Sequence, residues 1–87
     1  GEKMKIRILY FAWIRESIGK SAEDYVTEVS TVNELVRELV GLEPRYSRAL
    51  SNLDVVRIAV DQEIIEDLET SIQGAREVAF FPPMTGG

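Results

Sequence analysis

The most constraining feature of this sequence is a helix signature that begins at Thr31. Thr31 and Glu34 have the spacing of a capping box, in which the Thr hydroxyl accepts from the backbone N–H of residue 34 and the Glu carboxylate accepts from that of residue 31. Gly41 predicts a left-handed cap at the other end. The apolar residues between them share one helical face: Val32, Leu35, Val36, Leu39 and Val40. A helix with one apolar face needs a second layer to cover that face.

Segments rich in β-branched and aromatic residues, which are typical of strands, flank this helix. We predict strands over residues 5–12, 24–29, 55–60 and 76–81, and a turn at residues 61–63 before Ile64 and Ile65. Residues 14–21 predict a loop or short helical turn with Gly19 as its stop signal, and residues 46–53 predict a short second helix. The order β-β-α-β-β fits a small mixed sheet with one main helix across one face, which is an α+β fold.

Side chains alternate along a strand, so residue parity divides the sheet into two faces. One face is apolar throughout and is expected to form the core beneath the helix: Ile6, Ile8, Tyr10, Val56, Ile58, Val60, Val78 and Phe80. The opposite face carries charged residues but also an apolar group: Leu9, Phe11, Ala59 and Phe81, with Ile64 nearby. Contiguous exposed apolar residues favour a docking surface for another protein. The alternative is a second small core beneath a loop.

Composition excludes several kinds of function. The chain has no cysteine and no histidine, so thiol nucleophiles, imidazole bases and zinc sites built on these residues are absent, and its carboxylates are scattered rather than arranged as a metal cage. We therefore expect no metal site and no catalysis by this chain alone. The formal net charge of −5 argues against nucleic acid or an anionic membrane as partner. Without an apolar run of roughly 20 residues or a signal-peptide pattern, the expected location is the cytoplasm.

The C-terminal residues Phe80 to Gly87 read FFPPMTGG. Pro82 lacks an N–H donor and ends the last strand, and two prolines in series form a stiff, extended exit. Gly86 and Gly87 have no Cβ and suit a channel too narrow for side chains. We predict one domain over residues 1–87 that ends in a flexible tail, residues 82–87, and we interpret the end of that tail as the working part.

Two segments, KIRILYFAWIRESIG near the start and EVAFFPPMTGG at the end, closely resemble the small, sulfur-carrying subunit of molybdopterin synthase, the MoaD family. The resemblance covers nearly all of residues 4–87. It implies a ubiquitin-like β-grasp fold. It also implies that an E1-like enzyme uses ATP to adenylate the carboxyl group of Gly87, after which sulfur replaces AMP and leaves a thiocarboxylate.

The resemblance further implies a partner and the residues that meet it. The tail, with Pro82, Pro83, Met84, Thr85 and Gly86, would enter a pocket of the large synthase subunit, where Gly87 gives its sulfur to cyclic pyranopterin monophosphate. Catalytic groups would belong to that partner, and no cofactor would be bound stably by this chain. By position in the family, the docking residues are Phe11, Ile64 and Phe81, and Leu9 shares their face. Arg15 and Glu16 match a family Arg-Glu pair that either fixes the loop or binds.

Three other functions share some of these features. The sulfur carrier of thiamin biosynthesis has the same fold and terminal Gly-Gly, but it is usually shorter and lacks the FFPP run. A ubiquitin-like modifier would join Gly87 to lysines of target proteins. A plain interaction domain would have inert glycines.

Overall fold

The computed structural model describes residues 2–83, and this part of the chain forms a five-stranded mixed sheet. The strand order across the sheet is β2-β1-β5-β3-β4. The strands are β1 (Met4–Tyr10), β2 (Ala22–Thr27), β3 (Arg57–Val60), β4 (Glu63–Ile65) and β5 (Glu77–Phe81). β1 and β5 run parallel at the centre, and the other neighbouring pairs are antiparallel. The expected mixed sheet is confirmed.

Helical segments connect these strands. They are α1 (Ala12–Ile18), α2 (Val32–Val40), α3 (Pro44–Leu50) and a 3-10 turn (Leu53–Val55). α1 replaces the expected loop or short turn, and it ends at Gly19, whose φ of 87° gives the left-handed stop that the sequence predicts. No helix within residues 2–83 has both the length and the apolar character that crossing a bilayer requires.

α2 begins with the predicted capping box. The Glu34 backbone N–H donates to Thr31 Oγ1 at 3.2 Å, and the Thr31 N–H donates to Glu34 Oε1 at 3.1 Å. The expected left-handed cap at Gly41 is wrong, because Gly41 has φ −80° and ψ −7°. The chain continues in a right-handed turn instead, with the Leu42 N–H donating to Leu39 O at 3.0 Å, and α3 follows at once.

The predicted strand bounds also need correction, and the second strand covers Ala22–Thr27 rather than residues 24–29. Residues 53–55 form a 3-10 turn in which the Val56 N–H donates to Leu53 O, so β3 begins at Arg57 rather than at residue 55. Glu63–Ile65 is a strand in its own right, paired with β3, which adds a strand to the expected β-β-α-β-β order. The first strand ends at Tyr10 rather than residue 12 because Ala12 already belongs to α1.

The core lies between the sheet and the helices, as residue parity predicts. Ile6, Ile8, Val78 and Phe80 are fully buried on the sheet side. The apolar face of α2 is also buried, from Val32 through Leu39. Removing a large aliphatic side chain from such a core costs about 2–5 kcal/mol. The opposite face of the sheet is thereby left without a helical layer in the described residues.

Candidate functional site

A row of small and apolar side chains crosses the uncovered face of the sheet. Leu9 in β1 lies opposite Ala22 in β2 and beside Ala79 in β5. Ala79 in turn faces Ala59 in β3, and Ala59 faces Ile64 in β4. Each strand therefore contributes one residue to this row. Because the register places them side by side on one face, they form a continuous apolar strip rather than scattered contacts.

Two phenylalanines, Phe11 and Phe81, lie beside this strip. Phe81 lies two residues beyond Ala79, and Phe11 lies two residues beyond Leu9, so both keep to the uncovered face. The Phe11 backbone N–H donates to Phe80 O at 3.1 Å, which extends the pairing of β1 and β5 past Tyr10. The ends of these two strands therefore lie together, and Phe11 stands next to the point where the chain leaves the sheet at Pro82.

Phe11 and Phe81 help to enclose an open groove of about 490 Å³. The lining residues are Leu9, Phe11, Ala12, Ala59, Gln62, Glu77, Ala79, Phe81 and Pro82. Ala59 and Ala79 are only 7% and 6% exposed, whereas Phe11 is 47% exposed. Two methyl side chains thus form the base and larger side chains form the sides. We call this feature the sheet groove.

The sheet groove has a charged margin at the end far from Pro82. Glu77 of the lining stands beside Arg7 in β1, and Arg7 donates to Asp24 Oδ1 at 3.0 Å. Asp61 Oδ1 accepts from the backbone N–H groups of Arg76 and Glu77 at 2.9 and 3.0 Å. An apolar base with a polar margin is the usual arrangement of a protein-binding surface. In residues 2–83, no three or more His, Cys, Asp or Glu side chains are grouped so that they could hold a metal ion.

The structure brings most of the expected docking residues together. Leu9, Phe11, Phe81 and Pro82 all line the sheet groove. Ile64 lies on the same face at the end of the apolar strip, where it is 61% exposed, but it is not part of the lining. Pro83 is exposed. The predicted tail residues Met84, Thr85, Gly86 and Gly87 lie outside the described residues.

The alternative of a second small core does not hold within residues 2–83. Phe11 and Ile64 remain 47% and 61% exposed, and the groove between the two phenylalanines is open. Large side chains beneath a covering loop would instead be excluded from water.

Four lining residues were not named as site residues by the sequence interpretation: Ala12, Gln62, Glu77 and Ala79. Ala79 has the right parity but is too small to attract notice. Ala12 and Gln62 reach the sheet groove through turns with positive φ, 53° and 73°, and neither residue type signals such a backbone. Parity places Ala79 and Glu77 on this face, whereas nothing in the sequence pattern could have found Ala12 and Gln62.

The comparisons with known proteins agree with this geometry. The ThiS family profile matches residues 8–87. The chain belongs to the ThiS family. It is 33% identical over 82 residues to the molybdopterin synthase sulfur carrier subunit of Escherichia coli (strain K12), covering 94% of this chain and 99% of that protein. It is 37% identical over 86 residues to the protein of the same name from Dictyostelium discoideum, covering 95% and 96%. The resemblance to the MoaD family is confirmed.

Solved structures show the same fold. The crystal structure of SAMP1 from Haloferax volcanii superimposes with a TM-score of 0.75 at 24% identity, covering 97% of this chain and all of that one. A protein–protein complex of subunits 1 and 2 of molybdopterin-converting factor from Helicobacter pylori contains a chain that matches with a TM-score of 0.62 at 24% identity, with the same coverage. The expected ubiquitin-like β-grasp fold is confirmed.

Proposed function

We propose that this protein is the sulfur-carrier subunit of a molybdopterin synthase and that the C-terminal carboxyl of Gly87 carries the sulfur. The observation that supports the proposal most strongly is the sheet groove, which lies where the chain leaves β5 at Pro82 toward Gly87. Phe11, Phe81 and Pro82 line it, so a protein seated there would receive the tail directly. The names of the relatives in Escherichia coli and Dictyostelium discoideum support the same role.

The proposed chemistry begins with an ionised, unreactive group. A terminal carboxyl has a pKa of about 3.3–3.7, so at neutral pH it is a carboxylate and a poor electrophile. In the activating enzyme, a carboxylate oxygen of Gly87 would attack the α-phosphorus of ATP, and pyrophosphate would leave. Hydrosulfide (HS⁻) supplied by the sulfur donor would then attack the carbonyl carbon of the acyl adenylate, and AMP would leave with the carboxyl oxygen, giving the thiocarboxylate and a released proton.

The absence of cysteine supports the C-terminal carboxyl of Gly87 as the attachment point for sulfur. With no thiol anywhere in the sequence, this chain cannot carry sulfur as a persulfide. A carrier of this composition would hold sulfur at Gly87 and deliver it to cyclic pyranopterin monophosphate in a pocket of the large subunit. The large subunit would supply the catalytic groups, and this chain would supply the tail and the docking surface.

Mass spectrometry tests the proposal directly. The full chain is incubated with its activating enzyme, ATP and a sulfur donor, and the C-terminal peptide should gain the mass difference between one sulfur and one oxygen. Deleting Gly87 should abolish synthesis of molybdopterin in the reconstituted synthase, whereas deleting Gly1 should not.

Synthesis of molybdopterin by the Gly87 deletion would overturn the carrier role. Attachment of Gly87 to lysines of other proteins, with no thiocarboxylate formed, would instead favour the modifier.

A further inference from the structure

Three consecutive apolar residues are exposed where β1 turns into α1. Phe11 is 47% exposed, Trp13 is 40% exposed, and Ala12 between them is exposed as well. Runs of exposed apolar residues are avoided on protein surfaces unless they serve a function. We call residues 11–13 the aromatic corner.

The backbone of the aromatic corner is held in a disfavoured conformation. Ala12 has a φ of 53°, in the left-handed region that a Cβ makes unfavourable. Both sides of it are fixed, since the Phe11 N–H donates to Phe80 O and the Phe11 carbonyl accepts from Ile14 N–H at 3.1 Å. Ile14 is fully buried and secures α1 to the core. Strain that the surroundings maintain in this way is found preferentially at binding sites and active sites.

The position of the aromatic corner connects it to the sheet groove. Because β1 and β5 are parallel with Tyr10 opposite Phe80, the residues that follow β1 lie beside those that follow β5. Ala12 and Pro82 accordingly line the same groove. Trp13 directly follows the two lining residues Phe11 and Ala12 in the sequence.

We propose that Trp13 is a second anchor for the large synthase subunit. This inference rests on the proposed function, since continuity with the sheet groove identifies the partner. Tryptophan is among the residues most enriched at the energetic centres of protein interfaces. Its indole offers a large apolar surface and one N–H donor, so the matching pocket would be apolar with a hydrogen-bond acceptor at its edge.

The first experiment uses the fact that Trp13 is the only tryptophan in the sequence. The full chain is labelled with 5-fluorotryptophan, which gives a single fluorine resonance, and the unlabelled large subunit is titrated in. We expect that resonance to shift and broaden as the complex forms. No variant is needed, so the result does not depend on how well a substituted protein folds. An unchanged resonance in the saturated complex would overturn the inference.

The second experiment compares three alanine variants by calorimetric titration with the large subunit. Trp13→Ala should weaken binding by about tenfold or more, the loss typical of an interface anchor. Leu42→Ala is the control, because Leu42 is 46% exposed in the α2–α3 connection and should bind within about twofold of the parent. Phe11→Ala tests the sheet groove itself.

The pattern of results separates the two proposals. If Phe11→Ala weakens binding and Trp13→Ala does not, the sheet groove stands and the Trp13 anchor fails. If neither variant affects binding, docking through this face fails as well. A fluorine resonance that moves with the concentration of the labelled chain alone would show that a second copy occupies the aromatic corner, which would also overturn the inference.

Discussion

The hydroxyl of Tyr46 in α3 donates a 2.7 Å hydrogen bond to Oε2 of Glu23 in β2. Tyr10 donates to the same oxygen at 2.6 Å, and Lys20 Nζ donates to the other carboxylate oxygen at 2.9 Å. The Tyr10 ring also stacks on Phe80. The Glu23 carboxylate therefore holds Tyr10 in place, and Tyr10 in turn packs on Phe80. These two core residues directly precede Phe11 and Phe81 of the sheet groove.

Replacing the Glu23 carboxylate should cost stability. A hydrogen bond to a charged acceptor contributes more than one to a neutral acceptor, so Glu23→Gln should lower the free energy of unfolding by about 1–2 kcal/mol. Urea unfolding at pH 7 measures it. Glu28→Gln is the matched control, since Glu28 is exposed directly after the end of β2, and it should change stability by less than about 0.5 kcal/mol. Equal effects of the two substitutions would contradict this role for Glu23.

Stability should also depend on pH through Glu23. Burial raises the pKa of Glu23, but hydrogen bonds from Tyr10, Lys20 and Tyr46 and the charge of Lys20 outweigh it, so the pKa lies below its ordinary value. The folded chain thus binds this proton less tightly than the unfolded chain. The contribution of Glu23 to the free energy of unfolding is therefore complete above the ordinary Glu pKa of about 4.3. It is lost as the pH falls through the lower pKa that Glu23 has in the folded chain.

Urea unfolding of the parent and Glu23→Gln proteins across this acid range measures the effect. The difference between their unfolding free energies should shrink as pH falls. The Gln variant should keep some acid sensitivity, because backbone N–H groups of Ser30 and Thr31 also lower the pKa of Glu34. A difference that stays constant from pH 7 to pH 3 would exclude Glu23 as a source of the acid dependence.

The two helix-ending glycines should respond oppositely to alanine. Gly19 has a φ of 87°, so Gly19→Ala should lower the unfolding free energy by about 1–2 kcal/mol. Gly41 has a φ of −80°, and an added Cβ would stand 3.6 Å from the Arg37 and Glu38 carbonyl oxygens, an ordinary contact. Gly41→Ala should therefore raise the unfolding free energy by about 0.4–1 kcal/mol, because alanine restricts the unfolded chain.

Thermal melts of the two variants give the signs directly. If both variants were less stable than the parent, the result would contradict the right-handed backbone at Gly41 and favour the left-handed cap that the sequence pattern predicts.

These glycines show how far the sequence could predict the fold. Residue parity and helical periodicity identified both faces of the sheet and the buried face of α2, because burial repeats along every element. A glycine after a helix permits a left-handed cap but does not require one. At Gly41 the chain instead continues in a right-handed turn, with the Leu42 N–H donating to Leu39 O, before α3 begins at Pro44.

The candidate site was predictable in part for the same reason. Leu9, Phe11 and Phe81 follow from parity, since each is a large apolar residue on a face with charged neighbours. Ala12 could not be assigned, because its role depends on a backbone angle that alanine rarely adopts. The length of β3 was also overestimated, since Val55 is β-branched yet belongs to a 3-10 turn set by the Asn52 side chain, which accepts from the Asp54 N–H.

The turn between β3 and β4 should be stabilised by glycine. Asp61 and Gln62 both have positive φ, 48° and 73°, and Val60 pairs with Glu63, which makes this a two-residue hairpin turn of the type that favours Asp-Gly. Gln62→Gly should raise the unfolding free energy by about 0.5–1 kcal/mol, because glycine has no Cβ to oppose this backbone.

Chemical denaturation of Gln62→Gly measures the gain, with Gln73→Gly as the comparison. Gln73 is absent from the residues with positive φ. Glycine there should lower stability, because it loosens the unfolded chain and removes the hydrogen bond that Gln73 Nε2 donates to Ser30 Oγ at 3.2 Å. Destabilisation of similar size at both positions would contradict the turn geometry.

The adjacent residues Phe80 and Phe81 should differ sharply when each is replaced by alanine. Phe80 is fully buried and stacks on Tyr10, so Phe80→Ala should cost about 3–5 kcal/mol. Phe81 is half-buried on the opposite face, and its loss should cost about 1 kcal/mol, in proportion to the smaller area it buries.

Binding to the large subunit should show the reverse order among folded variants, with Phe81→Ala weakened and the conservative Phe80→Leu close to the parent. Urea unfolding and calorimetric titration of the same preparations measure both. If Phe81→Ala were as destabilising as Phe80→Ala, Phe81 would belong to the core rather than to the docking surface.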